Sequence, residues 1–547
     1  MSRLRLLLAT GALVGLAACD RDQPVQATAP EELESALMRA APSDPTPASI
    51  SLQKIGEFDG GGEGAAEITA FDPVSKRLFV VNGAQGSLDV LDLRNPAAPR
   101  RIATIGTDQL GGGAANSVDV SKGVAAVAVQ APDKVSPGSV IFFRTTTLAR
   151  ISSVTVGSLP DMLLFTPDGS RVVVANEGEP NADYTIDPEG TVSIIDVRNV
   201  NAPTVRTVDF RGFIGQEDAL RAQGIRIYGP NANAAQDFEP EYIALNNDGG
   251  TAWVTLQENN ALAVIDVNNA FVKGVVPLGY KNHALPGNEL DVSDRDGGVN
   301  IRNWPVFGMY QPDAIASYTV NGATYFVTAN EGDAREYIVE QGDDEVEVFV
   351  EEARAGSLPL NPAVFTDAVC GGPCRDNARL GRLTVTRTLG FNAATGQYDA
   401  LYALGGRSIS IWTEYGKQVW DSGSEFERRT AMLPNVNFNA SNSNNNLDDR
   451  SDNKGPEPEG VVIGTLGSRT FAFIGLERVG GVMVYDVSSP TSPFFVTYIN
   501  TRSGTAGDLG PEGLTFVPAV RSPNKRPLLI VGNEISGTTA IFQINLH

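Results

Sequence analysis

Histidine and cysteine are nearly missing from this 547-residue chain, which holds 2 of the first and 3 of the second. A zinc centre built from His and Cys ligands is therefore not expected. A Ser-His-Asp nucleophile is weakly supported too, with only His283 and His547 available. Positive charge is also short. Lys and Arg number 42 against 65 Asp and Glu, a net charge of −23, which argues against nucleic acid as a partner. No nucleotide cofactor is expected. Beyond the N-terminus, no apolar run is long enough to cross a bilayer.

That N-terminus reads as an export signal. Arg3 and Arg5 precede the short apolar run Leu6 to Leu16, which ends in Leu16-Ala17-Ala18-Cys19. Small residues directly before a cysteine are what lipoprotein signal peptidase reads. Residues 1–18 are thus a signal peptide, and Cys19 is the expected lipidation site, anchoring the chain to a membrane without spanning it. Residues 19–49, rich in Ala, Pro and acidic side chains, read as a tether. The expected address is the cell envelope or cell surface by lipid anchor, with release outside the cell left open.

Residues 50–547 repeat one unit. An acidic residue opens a short apolar strand, an Asp, Asn or Gly turn follows, and a second apolar strand ends near Asn, Gln or Glu. Leu159-Pro160-Asp161-Met162-Leu163-Leu164-Phe165 with Val172 to Glu177 is one clear copy, and Glu241 to Leu245 with Ala252 to Glu258 is another. Fainter copies start at Glu67, Asp119, Asp313, Glu459 and Glu512, and a third strand of alternating pattern usually follows. Short Val- and Ile-rich strands at this rhythm indicate an all-β fold, a β-propeller of four-stranded blades. Seven acidic starts predict seven blades, with six and eight left open. Ser51 to Phe58 should close the ring against Thr538 to Asn545. Long insertions, Arg198 to Phe238, Val267 to Pro312 and Arg335 to Arg379, are expected between blades.

Hairpin geometry then places the acidic residues. The first strand of each blade lines the channel and the second runs back antiparallel, so the start of one and the end of the other share a face. Glu67, Asp119, Asp161, Glu241, Asp313, Glu459 and Glu512 should ring one channel mouth. Asn82, Gln130, Glu177, Glu258, Glu331, Glu477 and Glu534 should stand just outside. Carboxylates so gathered either hold protons or bind cations. With oxygen ligands alone, the cation would be divalent or trivalent: calcium foremost, or magnesium, manganese or ferric iron. A water-filled acidic mouth is the plainer alternative.

The scarce cations near this face are Arg335, Arg407, Lys454 and Arg478, which could hold the outer oxygens of an anionic substrate or simply pair with neighbouring acids. The loop Leu290-Asp291-Val292-Ser293-Asp294-Arg295-Asp296-Gly297-Gly298-Val299-Asn300 has the look of a calcium loop. It lacks the closing glutamate of an EF-hand, and a solvated acidic turn is the preferred reading. Cys370 and Cys374 either close a small disulfide loop or remain free thiols.

Several of these strings carry a resemblance. Leu159-Pro160-Asp161-Met162, Val174-Ala175-Asn176-Glu177-Gly178-Glu179-Pro180, Lys454-Gly455-Pro456-Glu457-Pro458-Glu459-Gly460, Leu476-Glu477-Arg478 and Gly510-Pro511-Glu512-Gly513 resemble the choice-of-anchor I family of exported bacterial proteins. Its members share the domain and differ in their anchors, and some are described as atypical alkaline phosphatases. The resemblance implies a role in phosphate acquisition, as a metal-dependent phosphoesterase or a supporter of phosphatase activity acting on an anionic phosphate ester. Two other functions fit the same residues: a non-catalytic surface propeller that binds a protein partner, and a metal-dependent, lactonase-like hydrolase.

Overall fold

The computed structural model describes residues 44–341, 344–434 and 436–547. Residues 1–18, read as a signal peptide, Cys19 and most of the expected tether lie outside the described residues. Among the described residues, no helix is long and apolar enough to cross a membrane.

Seven four-stranded antiparallel sheets form the blades of a propeller. Blade 1 is Thr69–Asp72, Arg77–Asn82, Ser87–Asp92 and Arg100–Ile105. Blade 2 runs from Ala114–Ser121 to Arg150–Ser158, blade 3 from Pro160–Phe165 to Thr204–Asp209, and blade 4 from Pro240–Leu245 to Phe271–Pro277. Blade 5 is Ile315–Val320, Ala323–Asn330, Ser408–Thr413 and Gln418–Asp421, and blade 6 runs from Pro458–Leu466 to Phe494–Ile499. Blade 7 joins the two ends of the domain: Pro511–Val517, Leu528–Asn533, Thr538–Leu546 and then Ile50–Asp59. The last pairing runs from Ile50 opposite Leu546 to Asp59 opposite Thr538, with a bulge between Lys54 and Gly56, as the closing hairpin was expected to run. The chain docks a little earlier still, because Arg469 donates to the Pro47 carbonyl at 3.1 Å and Thr46 and Ser468 share a hydrogen bond of 3.2 Å.

Each blade is buried on both faces by its neighbours, which explains why its second strand is apolar throughout. Val172, Val173, Val174 and Ala175 have no exposed surface, nor have Ala125 to Ala128. The fourth strands face solvent and alternate, as Thr204–Asp209 does.

The insertions depart from the expected layout. Two of the three ranges contain a blade's own fourth strand, Thr204–Asp209 and Phe271–Pro277. The third lies inside blade 5, between its second and third strands, rather than between blades. It pairs with the segment before that blade in a five-stranded sheet of Tyr280–Asn282, Phe307–Met309, Tyr402–Ala403, Thr384–Thr386 and Glu352–Arg354. This unit has its own apolar core, including Val292, Trp304, Leu380 and Val385, and within that core Cys370 and Cys374 are disulfide-bonded.

Candidate functional site

A β-bulge opens the inner strand of most blades, and it positions the acidic residue. Pro160 pairs with Asn176, yet the ladder resumes only at Leu163 opposite Val174, so the inner strand carries one extra residue. The same step occurs at Pro240, Pro458 and Pro511. Proline suits this position because it has no N–H to offer the ladder. Pro160-Asp161, Pro240-Glu241, Pro312-Asp313, Pro458-Glu459 and Pro511-Glu512 share the pattern, and Ala66-Glu67 takes the same place in blade 1. Glycine after the acid also has a cause. A Cβ on Gly460 would stand 2.1 Å from the Glu512 carbonyl oxygen, and one on Gly513 would stand 2.5 Å from that of Glu67. Adjacent inner strands therefore approach too closely there for any side chain.

One expected member is displaced. In blade 2 the bulge falls between Ala115 and Ser117, which puts Asn116 in the ring and not Asp119. Asn116 donates to the Pro160 carbonyl at 3.0 Å. Asp119 lies further along its strand and accepts the Phe165 N–H of blade 3 at 2.7 Å, linking the two blades. The ring is thus six carboxyl groups and one amide.

Glu67, Asn116, Asp161, Asp313, Glu459 and Glu512 line a cavity of about 330 Å³, joined by Glu177, Glu179, Gln130 and Lys134, with Tyr242 and Met162 also in the wall. The carboxyl groups are starved of donors. Oε2 of Glu241, Glu258, Glu459 and Glu512 is buried without a hydrogen-bond partner. Burial first, then the neighbouring acids, pushes Glu67 up to about 8, and burial with Glu179 brings Asp161 to about 7. Glu241, Asp313, Glu459 and Glu512 are raised well above the usual carboxylate range for the same reasons. A raised carboxyl pKa stabilises the fold where the group is protonated, and that contribution is lost as pH climbs through the folded-state value. The cation-free protein should therefore lose about 5 °C of melting temperature between pH 5 and pH 8. Saturating calcium should flatten that slope, and thermal denaturation across the pH range with and without EDTA checks both.

The outer positions divide into three kinds. Glu177 lines the cavity, and burial and its acidic neighbours raise it well above the ordinary range; Glu258 and Glu534 are raised chiefly by burial. Asn82 turns into its own blade, buried beside Asp89 at 3.5 Å. Glu331 and Glu477 gather with Glu457, a residue the repeat did not mark, one oxygen of each lying within 4.8 Å of the others. Here the charge is already balanced. Lys454 reaches Glu331 at 2.5 Å and Glu457 at 3.3 Å, Arg450 reaches Glu457 at 2.6 Å, and Arg478 meets Glu457 at 3.2 Å and Glu477 at 3.1 Å. Against the opposing effect of burial, these cations hold Glu457 down at about 2.

Arg335 and Arg407 do not line the cavity. Arg335 is buried, paired with Asp237 at 2.7 Å and Glu239 at 2.8 Å, with its guanidinium over the Tyr228 ring. Arg407 is paired with Glu427 at 2.6 Å and donates to the carbonyls of Asp291, Ser451 and Asn453. Their donors are spent on protein acceptors, as are those of Lys454 and Arg478 on Glu331, Glu457 and Glu477, and none of the four expected phosphate-binding residues stands in the cavity wall. Lys134, which the repeat did not single out, is the cation in the cavity wall.

Several known proteins are similar to this chain. Gigasin-3a of Magallana gigas is 31% identical over 187 residues, which is 31% of this chain and 66% of that protein. The mesenchyme-specific cell surface glycoprotein of Strongylocentrotus purpuratus is 28% identical over 323 residues, 53% of this chain and 41% of that protein. The chain thus spans less than two thirds of either relative. Among solved structures, hydrazine synthase of Kuenenia stuttgartiensis aligns at 12% identity and a TM-score of 0.46, covering 89% of this chain and 97% of that one. The β-propeller domain of Cps50 (Swd1) from Myceliophteria thermophila aligns at 9% identity and 0.43, covering 90% and 100%. The profile of the choice-of-anchor I domain matches residues 67–490, which takes in the ring from Glu67 to Glu459, and the chain belongs to this family of exported, surface-directed proteins.

Proposed function

We propose that the channel mouth binds a divalent cation, calcium foremost, and that the exported propeller uses it in phosphoester hydrolysis. One observation carries the reading: five partly buried carboxyl groups of the ring line one cavity together with Glu177 and Glu179, and Glu459 and Glu512 each keep an oxygen with no donor. Among the described residues no three of the ring carboxyls bring oxygens within 4.8 Å of one another, so the ion would be held by one or two carboxylates at a time and complete its shell with water. Glu67, Asp161, Glu241, Asp313, Glu459 and Glu512 would hold it. When bound, the ion would lower the pKa of a water molecule and offset charge on phosphoryl oxygens. Lys134, in the cavity wall, would meet a phosphoryl oxygen. Supply of phosphate to the cell is the role that fits an exported enzyme of this kind.

A second reading has its own support. With few cations at the mouth and no histidine in the cavity wall, the same ring suits a non-catalytic propeller that binds a partner at the cell surface. The sea-urchin relative is itself a cell surface glycoprotein. A lactonase-like hydrolase would use the same ion on a carbonyl.

The test is calcium titration of EDTA-treated protein by calorimetry, followed by assays on p-nitrophenyl phosphate and on a simple lactone. Calcium binding with calcium-dependent phosphate release is the expected result. Binding without turnover of either ester would move the conclusion to the partner-binding role, and absence of binding would overturn the cation site. Anchoring is proposed through Cys19. A Cys19→Ser protein is expected to take up no labelled fatty acid in cells, and unchanged labelling would refute the lipid anchor.

A further inference from the structure

A second cluster of acids lies away from the ring, where the insertion before blade 5 meets the segment before blade 6. Asp291 and Asp296 come from the first of these. Asp448 comes from the second, between the helix Glu425–Thr430 and the strand Pro458–Leu466. One carboxylate oxygen from each lies within 4.8 Å of the others. Asp291 is 0% and Asp448 3% exposed, so this is not a solvated turn.

The three carboxylates are poorly compensated. Asp291 accepts the N–H groups of Ser293 and Asn300, Asp296 accepts the Gly298 N–H at 3.3 Å and the Asn300 amide at 2.9 Å, and Asp448 Oδ1 accepts the Ser451 hydroxyl. Asp448 Oδ2 is buried and meets no donor at all. Asn439, which donates to the same Ser451 hydroxyl at 2.8 Å, also keeps its Oδ1 buried without a partner. Among the described residues no ion pair reaches any of the three acids, because the nearby arginines are engaged elsewhere. Arg407 is held by Glu427, and Arg382 bridges Asp294 at 2.9 Å and Asp452 at 2.7 Å.

We infer that Asp291, Asp296 and Asp448 form a calcium site, distinct from the channel mouth, that fastens the segment before blade 6 to the insertion before blade 5. Three carboxylates in irregular loops, with neutral oxygens close by, suit calcium, which accepts six to eight oxygen ligands in flexible geometry; magnesium demands a near-ideal octahedron. Burial, then neighbouring acids, raises Asp291 to about 7 and Asp448 to about 8, as expected of carboxylates gathered without a counter-charge. The ion would work beside the Asp294–Arg382–Asp452 bridge, which joins the same two segments.

The experiment is calcium titration of the whole exported protein as wild type, Asp296→Asn, Asp448→Asn and Glu459→Gln. Asp296 is partly exposed, so Asp296→Asn keeps the fold even where the buried Asp448→Asn does not. Asp296→Asn is expected to weaken one class of calcium site at least tenfold, whereas Glu459→Gln leaves that class intact. Limited proteolysis supplies a second readout: calcium should protect the 436–457 segment in wild type and Glu459→Gln but not in Asp296→Asn. If the channel mouth binds no calcium, a single class lost in Asp296→Asn alone still supports this site. Affinity and protection unchanged in Asp296→Asn would overturn it.

Discussion

Glu459→Gln should abolish calcium binding at the channel mouth while making the calcium-free protein more stable than wild type at pH 8. The two effects have one origin. Glu459 is partly buried, its buried Oε2 lacks a donor, and Glu477, Glu331, Glu512 and Asp313 all add to the cost of ionising it. Glutamine keeps the size and removes the charge, so the repulsion disappears together with the ligand. Affinity should fall by about a hundredfold or more, on the order of 3 kcal/mol. The stabilisation that wild type gains from calcium, roughly 2.7 kcal/mol at a hundred times the dissociation constant, should go with it. Any phosphate-ester hydrolysis should drop by orders of magnitude in a protein that still melts cooperatively. Melting curves with and without calcium, beside calorimetric titration, read out every part. A variant that keeps full calcium affinity would remove Glu459 from the site, and one that is less stable without calcium would show that its carboxylate serves the fold instead.

Deleting Ser51 to Phe58 should be the most damaging change to the fold. That segment is most of the outer strand of blade 7, and it is what ties the N-terminal end of the domain to the last blade through pairing with Thr538–Leu546. Ile55 and Phe58 pack on the core between blades 7 and 1, and Leu52 packs on the core between blades 6 and 7. These three side chains are partly buried, so each contributes less than the about 1.5–3 kcal/mol of full burial, and together with the lost ladder the total is still a large share of the roughly 5–15 kcal/mol stability of a whole domain. The exposed edge of Thr538–Leu546 would also invite association with other chains. A melting temperature at least 10 °C lower, with light scattering at rest, is the expected outcome. An unchanged melting curve would show that the propeller closes without this strand.

The expected repeat was right in kind and wrong in one register. In blade 2 the sequence Ala114-Ala115-Asn116-Ser117-Val118-Asp119 offers an aspartate three residues past the bulge, and counting acids selects it. The proline before the acid in five other blades, four of which bulge at that proline, would have directed attention to the start of the strand. Glu457, named only within the Lys454 to Gly460 string, received no role because it belongs to no strand. Its importance arises when Lys454, Arg450 and Arg478 converge on it from one loop and the end of a neighbouring strand. For Arg335 and Arg407 the choice between substrate binding and internal pairing stayed open for a related reason. Both follow motifs near the acidic face, but their partners Asp237, Glu239 and Glu427 lie 98, 96 and 20 residues away, and no local pattern announces a pair at such separation.

Local chemistry alone therefore determined the all-β propeller, the closing strand and six of the seven ring positions. Alternation, turn residues and strand direction act over a few residues, and every blade repeats them. Tertiary structure decided where charge is compensated. It set the insertion inside blade 5, balanced Glu331, Glu457 and Glu477 with three cations, withdrew Arg335 and Arg407 from the mouth, and brought Asp448 against Asp291 and Asp296. Those outcomes depend on which distant side chains share a buried volume, and burial makes an unpaired charge costly only once the chain has folded around it.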